Sequence, residues 1–377
     1  MILTNLLSIM LCFFLFDQVN IKYLFVIITQ NYFFMLDIFR FSSKLLKIFT
    51  EHTETVWSID YSAFDSCQLL CSGSNDNTVR VWDVENNKQT QSFDGHFICV
   101  RFSTYHYCNH RRNVICFSSG DNNIYFWDIK DNRQLKIFSG HTQLVSGIKF
   151  SSFNDVDICV LCHMMRLFTL HAFKGHVDAI WCVDISPLQS NNSNNNKSNN
   201  IGMIGGSGHT ICSGSWDNTV HIWDIETAKE LLVFKGHKNY VNSVKYGSNE
   251  LGVIGGANTI LSGSFDKSVR LWDIRSGRQT QAFNGHTNYV NAVAYSPFVV
   301  NNIEICINSN VICSGSSDST IRFWDIRSNK NELYAVKVND AIYCLSFVSL
   351  KKNQKTRDGC GVSLYFGSEN GLIRVWG

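Results

Sequence analysis

His237, Ser262 and Asp266 bring together an imidazole, a hydroxyl and a carboxylate, the groups with which many hydrolases activate a nucleophile. His286, Ser314 and Asp318 repeat the set. The phrases that carry them recur as CSGSNDNTVRVWDVE (71–85), CSGSWDNTVHIWDIE (212–226), LSGSFDKSVRLWDIR (261–275) and CSGSSDSTIRFWDIR (313–327). A reaction centre is needed once, so copies at a regular interval point to framework, not catalysis. No nucleophile elbow or phosphate-cradling glycine loop accompanies them. The clusters HYCNH (106–110) and CVLCH (159–163) lack the paired ligand spacing of a zinc module. No catalytic residue, metal or cofactor is therefore expected.

These residues need elements to hold them, and the spacing shows which. Trp-Asp pairs begin at Trp82, Trp127, Trp223, Trp272 and Trp324, with Trp376 in the same slot at the end. The intervals are 45, 96, 49, 52 and 52 residues. The long interval hides one more unit, with Phe168 in the tryptophan slot. Gly-His pairs at 95–96, 140–141, 175–176, 236–237 and 285–286 precede the phrases, and Glu51-His52 is a weaker copy. An internal period of this size marks a repeat architecture.

Seven alternating runs follow these markers: VWSIDYS, ICVRFS, VSGIKFS, IWCVDIS, VNSVKYG, VNAVAYS and IYCLSFV. Each unit reads as four short strands, because alternation of period two and β-branched enrichment favour strand over helix. Asn-Asp-Asn, Asp-Lys and Asp-Ser supply the tight turn between the second and third strands. Apolar residues form 45% of the chain, enough for a large core, while a net charge of +2 gives no basic field for nucleic acid. Cys71, Cys212 and Cys313 share one slot in separate units, which suits small buried hydrophobes in a reducing, cytoplasmic compartment.

Interleaved Gly-His and Trp-Asp markers in this order resemble the WD40 repeat family. The resemblance covers about residues 45–377. It implies an all-β fold: a seven-bladed β-propeller of four-stranded antiparallel blades, closed by the N-terminal strand joining the last blade. Leu45–Thr50 is the spare strand for that closure. In this family a His, an Asp, a Ser or Thr and a Trp hydrogen-bond within a blade. Carried over, the sets are His237, Asp266, Ser262 and Trp272, and His286, Asp318, Ser314 and Trp324. Blade three, about 141–174, is degenerate and is expected to be the least stable. Asn-rich and other insertions fall between first and second strands, which places them on one rim.

The resemblance implies a non-catalytic scaffold, with a monomeric propeller binding proteins or peptides at its rim to assemble complexes. The rim positions that carry over hold Trp57, Trp181, Trp216, Tyr240, Phe265, Tyr289 and Tyr343. Clustered exposed aromatics are typical partner anchors, although packing sideways between blades is the alternative. Arg275 and Arg327 resemble the WDxR boxes of substrate receptors for cullin-RING ubiquitin ligases. A propeller hydrolase of the sialidase type is disfavoured, since its turn motif lacks its glycine and adjacent tryptophan here. Residues 1–44 match no repeat. They read as a membrane anchor, as an apolar segment packing on the propeller, or as a mis-called start, and membrane contact is expected only through them. With closure assigned to Leu45–Thr50, residues 1–40 should be dispensable for folding.

Overall fold

The computed structural model describes Phe39 and residues 43–64, 67–95, 97–103, 106–107, 110–153, 156–163, 173–186, 210–225, 227–247, 258–296, 311–326, 332–349 and 362–377. The described residues are almost entirely strand and turn. Six sheets are four-stranded and antiparallel. The fifth unit is representative: Val241–Tyr246, Thr259–Ser264, Ser268–Asp273 and Arg278–Asn284 pair in chain order. Its second strand, TILSGS, is buried throughout, as befits a strand covered on both faces.

The third unit differs. Its sheet is a two-stranded hairpin, Val145–Phe153 with Val156–His163, and the segment containing Phe168 lies outside the described residues. Among the described residues the expectation of seven four-stranded blades is thus corrected to six: the third unit shows only its first two strands, and the residues that would follow them lie outside the described ones. The insertions between first and second strands of units four to seven also lie outside the described residues.

The innermost strands are Val56–Phe64, Phe97–Phe102, Val145–Phe153, Ile180–Ile185, Val241–Tyr246, Val290–Tyr295 and Ile342–Ser349. Each packs against the next, and the last packs against the first. Leu45–Phe49 pairs antiparallel with Ile373–Trp376 at the outer edge of the last sheet.

Two glycines show how closely the sheets approach. A Cβ on Gly263 would meet the Val290 and Val293 side chains of the next unit at 2.7 and 2.8 Å. On Gly236 it would meet the Trp272 ring at 2.9 Å. Both contacts are tighter than a methyl group tolerates, which explains glycine in Ser-Gly-Ser and in Gly-His. The turn between second and third strands needs a left-handed residue, supplied by Asn77 (φ 64°), Asn218 (φ 69°), Lys267 (φ 68°) and Ser319 (φ 62°). Cys71, Cys212 and Cys313 are free and fully buried, and burial pushes all three thiols up.

Of residues 1–44, Phe39, Ser43 and Lys44 are described, so most of that segment lies outside. Phe39 is fully buried among Cys313, Ile321, Phe323, Val336, Ile342 and Phe366, between the sixth and seventh sheets. Its ring lies 6.2 Å from that of Phe323. This contact opposes the expectation that residues 1–40 are dispensable, since their loss would remove a buried ring. Among the described residues no helix is long and apolar enough to cross a membrane. Phe39→Ala should cost about 3–5 kcal/mol, the usual loss for a fully buried phenylalanine, read as a lower urea midpoint at unchanged slope.

Candidate functional site

In the fifth unit the Trp272 indole N–H donates to Ser262 Oγ (2.8 Å), and the Ser262 hydroxyl donates to His237 Nε2 (2.7 Å). His237 Nδ1–H then donates to Asp266 Oδ2 at 2.9 Å. A carboxylate only accepts, which places the imidazole proton on Nδ1 and leaves Nε2 to accept. Asp266 also takes the backbone N–H of Lys238 (2.9 Å) and of Ser268 (3.0 Å). The structure brings together Trp324, Ser314, His286 and Asp318 in the same order, at 2.9, 2.8 and 2.8 Å. Units one and four hold like sets at Trp82, Ser72, His52 and Asp76, and at Trp223, Ser213, His176 and Asp217.

Burial by itself would raise the Asp266 carboxyl. Hydrogen bonds from the His237 ring, from Ser268 and from the Lys238 backbone overcome it and hold Asp266 well below the carboxylate range. Burial lowers His237 in turn. Ser262 is fully buried, and its oxygen is shared between Trp272 and His237. No substrate reaches it, so the set braces the sheet.

Other units improvise. In the second, Trp127 donates to Asn132 (3.2 Å) while Asp121 holds Tyr125 and Asn123. In the seventh, Phe366 stands where the serine would be, and the buried Trp376 indole nitrogen meets no acceptor among the described residues. Arg374 instead pairs with Asp340 at 2.6 Å. In the fourth, His221 occupies the place of Arg80, Arg270 and Arg322 and stacks on His176 with ring centroids 3.7 Å apart. Burial, then the His176 charge, brings His221 down to about 3. His176, Asp217 and His221 place three potential metal ligands within 4.8 Å of one another. However, His176 already donates to Asp217 and accepts from Ser213, which commits both of its ring nitrogens.

The seven rim aromatics come together as one unbroken chain of rings. Tyr343 meets Trp57 at 4.8 Å between centroids, Trp57 meets Trp181 at 6.0 Å, and Trp181 stacks on Trp216 at 5.5 Å. Trp216 stacks on Tyr240 at 4.9 Å, Tyr240 meets Phe265 at 5.7 Å, and Phe265 stacks on Tyr289 at 4.1 Å. Tyr289 is exposed at 41% and the other six are half-buried. None is among the fully buried residues between the sheets, yet Trp57 with Tyr343, Trp216 with Tyr240 and Phe265 with Tyr289 pack on one another across neighbouring units.

Beneath these rings lies a cavity of about 410 Å³, lined in part by Trp57, Trp181, Trp216, Phe265, Tyr289 and Tyr343. Arg101, Lys149 and Lys245 also line it, with no carboxylate among the lining residues. Lys149 pairs with Asp184 at 2.8 Å. Arg101 donates to Ser58 Oγ (3.2 Å) and to the Ile59 carbonyl (2.9 Å). Lys245 has no acceptor among the described residues. The Lys149 charge, followed by burial, lowers Lys245 to about 8. Sequence reasoning missed these cations, although each is the fifth residue of its inner strand. Arg275 is exposed and lies against the Asn258 amide, 2.8 and 3.0 Å from its oxygen in the orientation that satisfies both groups. Arg327 lies outside the described residues.

Comparison with known proteins decides the family. Five segments, 43–83, 87–128, 167–224, 228–273 and 277–325, match the WD40 repeat described as "WD domain, G-beta repeat". The chain belongs to this family. Its relatives include the Peroxisomal targeting signal 2 receptor of Mus musculus, 43% identical over 51 residues, 14% of this chain and 16% of the relative. Cell division control protein 4 of Saccharomyces cerevisiae is 27% identical over 206 residues, 54% of this chain and 22% of the relative. Small ribosomal subunit protein RACK1y of Oryza sativa is 24% identical over 212 residues, covering 54% and 49%. The chain therefore spans at most about half the length of these WD40 relatives.

Lys245 predicts a pH effect. A lysine lowered to about 8 when folded binds its proton less readily than in the unfolded chain, so its penalty is full below pH 8 and fades as pH rises toward 10.5. Buried cysteines lose stability over the same range, so the comparison must be differential. Lys245→Met should be more stable than wild type at pH 7 by urea unfolding, with the gap closing by about pH 10.5.

Proposed function

We propose that this chain is a non-catalytic scaffold that binds proteins or peptides through its aromatic rim. The observation that carries the reading is the continuous chain of seven rings above an open cavity. Aromatic side chains supply large contact area at low entropic cost, and clusters of them anchor interfaces. WD40 propellers generally act through protein partners, which supports the class of ligand without naming it.

The ring we propose is seven-bladed. The closed succession of seven inner strands supports this, with the Val145–His163 hairpin as the inner half of the third blade. Pairing of Leu45–Phe49 with Ile373–Trp376 supports closure by the N-terminal strand. We also propose that the protein works as a monomeric ring in a reducing, cytoplasmic setting, where its buried thiols persist.

A second reading, a substrate receptor of a cullin-RING ubiquitin ligase, draws on the exposure of Arg275 beside the third strand of the fifth blade. On that reading a ligase adaptor co-purifies with the wild type and is lost from the double variant Arg275→Ala with Arg327→Ala. Retention of the adaptor by the variant would sink it.

The rim reading has its own test. Trp216→Ala with Phe265→Ala should remove partners recovered by affinity purification and quantitative mass spectrometry, while the melting temperature moves by only about 2 °C, as surface changes do. A collapse in melting temperature would instead assign these rings to the core.

A further inference from the structure

The fifth residues of the seven inner strands are Asp60, Arg101, Lys149, Asp184, Lys245, Ala294 and Ser346. Antiparallel pairing within each sheet fixes the same register for each strand. Val56, Val241, Val290 and Ile342 each pair with the last serine of the following strand. The fifth residues therefore occupy equivalent positions, and the charged ones act on one another from sheet to sheet as a belt, of which Arg101, Lys149 and Lys245 line the cavity. Three are cations and two are carboxylates, so the belt carries one uncompensated positive charge.

The carboxylates are already committed. Asp184 takes Lys149 (2.8 Å) and the Tyr246 backbone N–H (3.0 Å). Asp60 takes the Phe102 backbone N–H at 2.9 Å. Arg101 donates through Nη1 to Ser58 Oγ and to the Ile59 and Val100 carbonyls, and the Asp60 charge lies close enough to act on it. The excess charge is thus shared by Lys149 and Lys245: Lys245 lies beside Lys149, feels Arg101 as well, and has only part of the Asp184 charge, which Lys149 already holds. A like-charged pair in a part-buried channel is unfavourable until an anion joins it.

We infer that the channel floor is a carboxylate-binding subsite, which takes an acidic side chain or a C-terminal carboxylate of a peptide seated on the rings above. Charge selects the class: one carboxylate neutralises the belt, whereas a phosphate dianion would overcompensate it. The inference rests on the rim reading for what delivers the carboxylate. The belt itself can be probed without a partner.

The other titratable groups at the cavity do not compete. Cys182 and Cys344 are pushed up to about 12 by burial, and Cys99 is a buried thiol. Tyr343 is raised by burial. Lys245 is therefore the group whose charge changes first as pH rises, and carboxylate binding should weaken above pH 8.

The full chain is titrated with the tripeptide amide acetyl-Gly-Glu-Gly and its Gln counterpart, read by the fluorescence of Trp57, Trp181 and Trp216. Preference for Glu by about tenfold at pH 7, lost in Lys245→Met and in Ala294→Asp, is the expected result. Ala294→Asp supplies a tethered carboxylate and so guards against a fold defect in either variant, and both should melt at or above the wild type. Equal binding of the two peptides, an unchanged preference in Lys245→Met, or tighter binding of inorganic phosphate than of the Glu peptide would overturn the inference. Partner capture that survives loss of the Glu preference sinks the subsite alone. Partner capture that survives Trp216→Ala with Phe265→Ala, while the wild type keeps the Glu preference, sinks the rim reading alone.

Discussion

Four of the six four-stranded blades hang on one buried relay: an indole donating to a hydroxyl, the hydroxyl to an imidazole, the imidazole to a carboxylate. In the fifth blade this relay joins Trp272 on the third strand, Ser262 on the second, His237 before the first and Asp266 in the turn. It matters because every member is polar and buried, and an unmet partner would cost about 1–3 kcal/mol. The relay is satisfied from end to end, so it fixes the register of three strands and the path of the incoming loop together. Gly236 and Gly263 follow from it, since the tryptophan and the neighbouring sheet leave no room for a side chain at either place.

The relay also explains where the ring departs from itself. The seventh blade, with Phe366 for serine, leaves the Trp376 nitrogen without an acceptor among the described residues and ties its turn with Arg374 and Asp340 instead. That blade is braced further by Leu45–Phe49 along its edge and by Phe39 against its core. The fourth blade keeps the relay but exchanges an arginine for His221, which is held neutral by burial. Framework and variation are thus separated: the second and third strands carry the relay, while the inner strands are free to differ.

That freedom is spent at the channel. Positions two and five of each inner strand take no part in the relay, which draws on the second and third strands, the turn and the residue before the first strand, so they can vary without disturbing it. The second positions include Trp57, Trp181 and Tyr343 of the ring chain; the fifth carry the charged belt. A rigid frame holding variable groups around one opening suits recognition better than chemistry, because recognition needs placement and not a reactive centre.

The sequence by itself determined the repeat, the strand pattern, the relay sets at His237 and His286, and the seven rim aromatics, because each depends on residues within one unit of about fifty. The structure alone decided what depends on several units at once. That Phe39 plugs the junction of sixth and seventh sheets follows from ring geometry, since nothing in its own neighbourhood marks it. The two-stranded third sheet was legible only as a damaged motif. The charged belt gathers residues as distant as Asp60 and Lys245, and its net charge exists only once the inner strands pack side by side. Local hydrogen bonding is written in short spacings, whereas electrostatic sums across a channel depend on distances that folding alone creates.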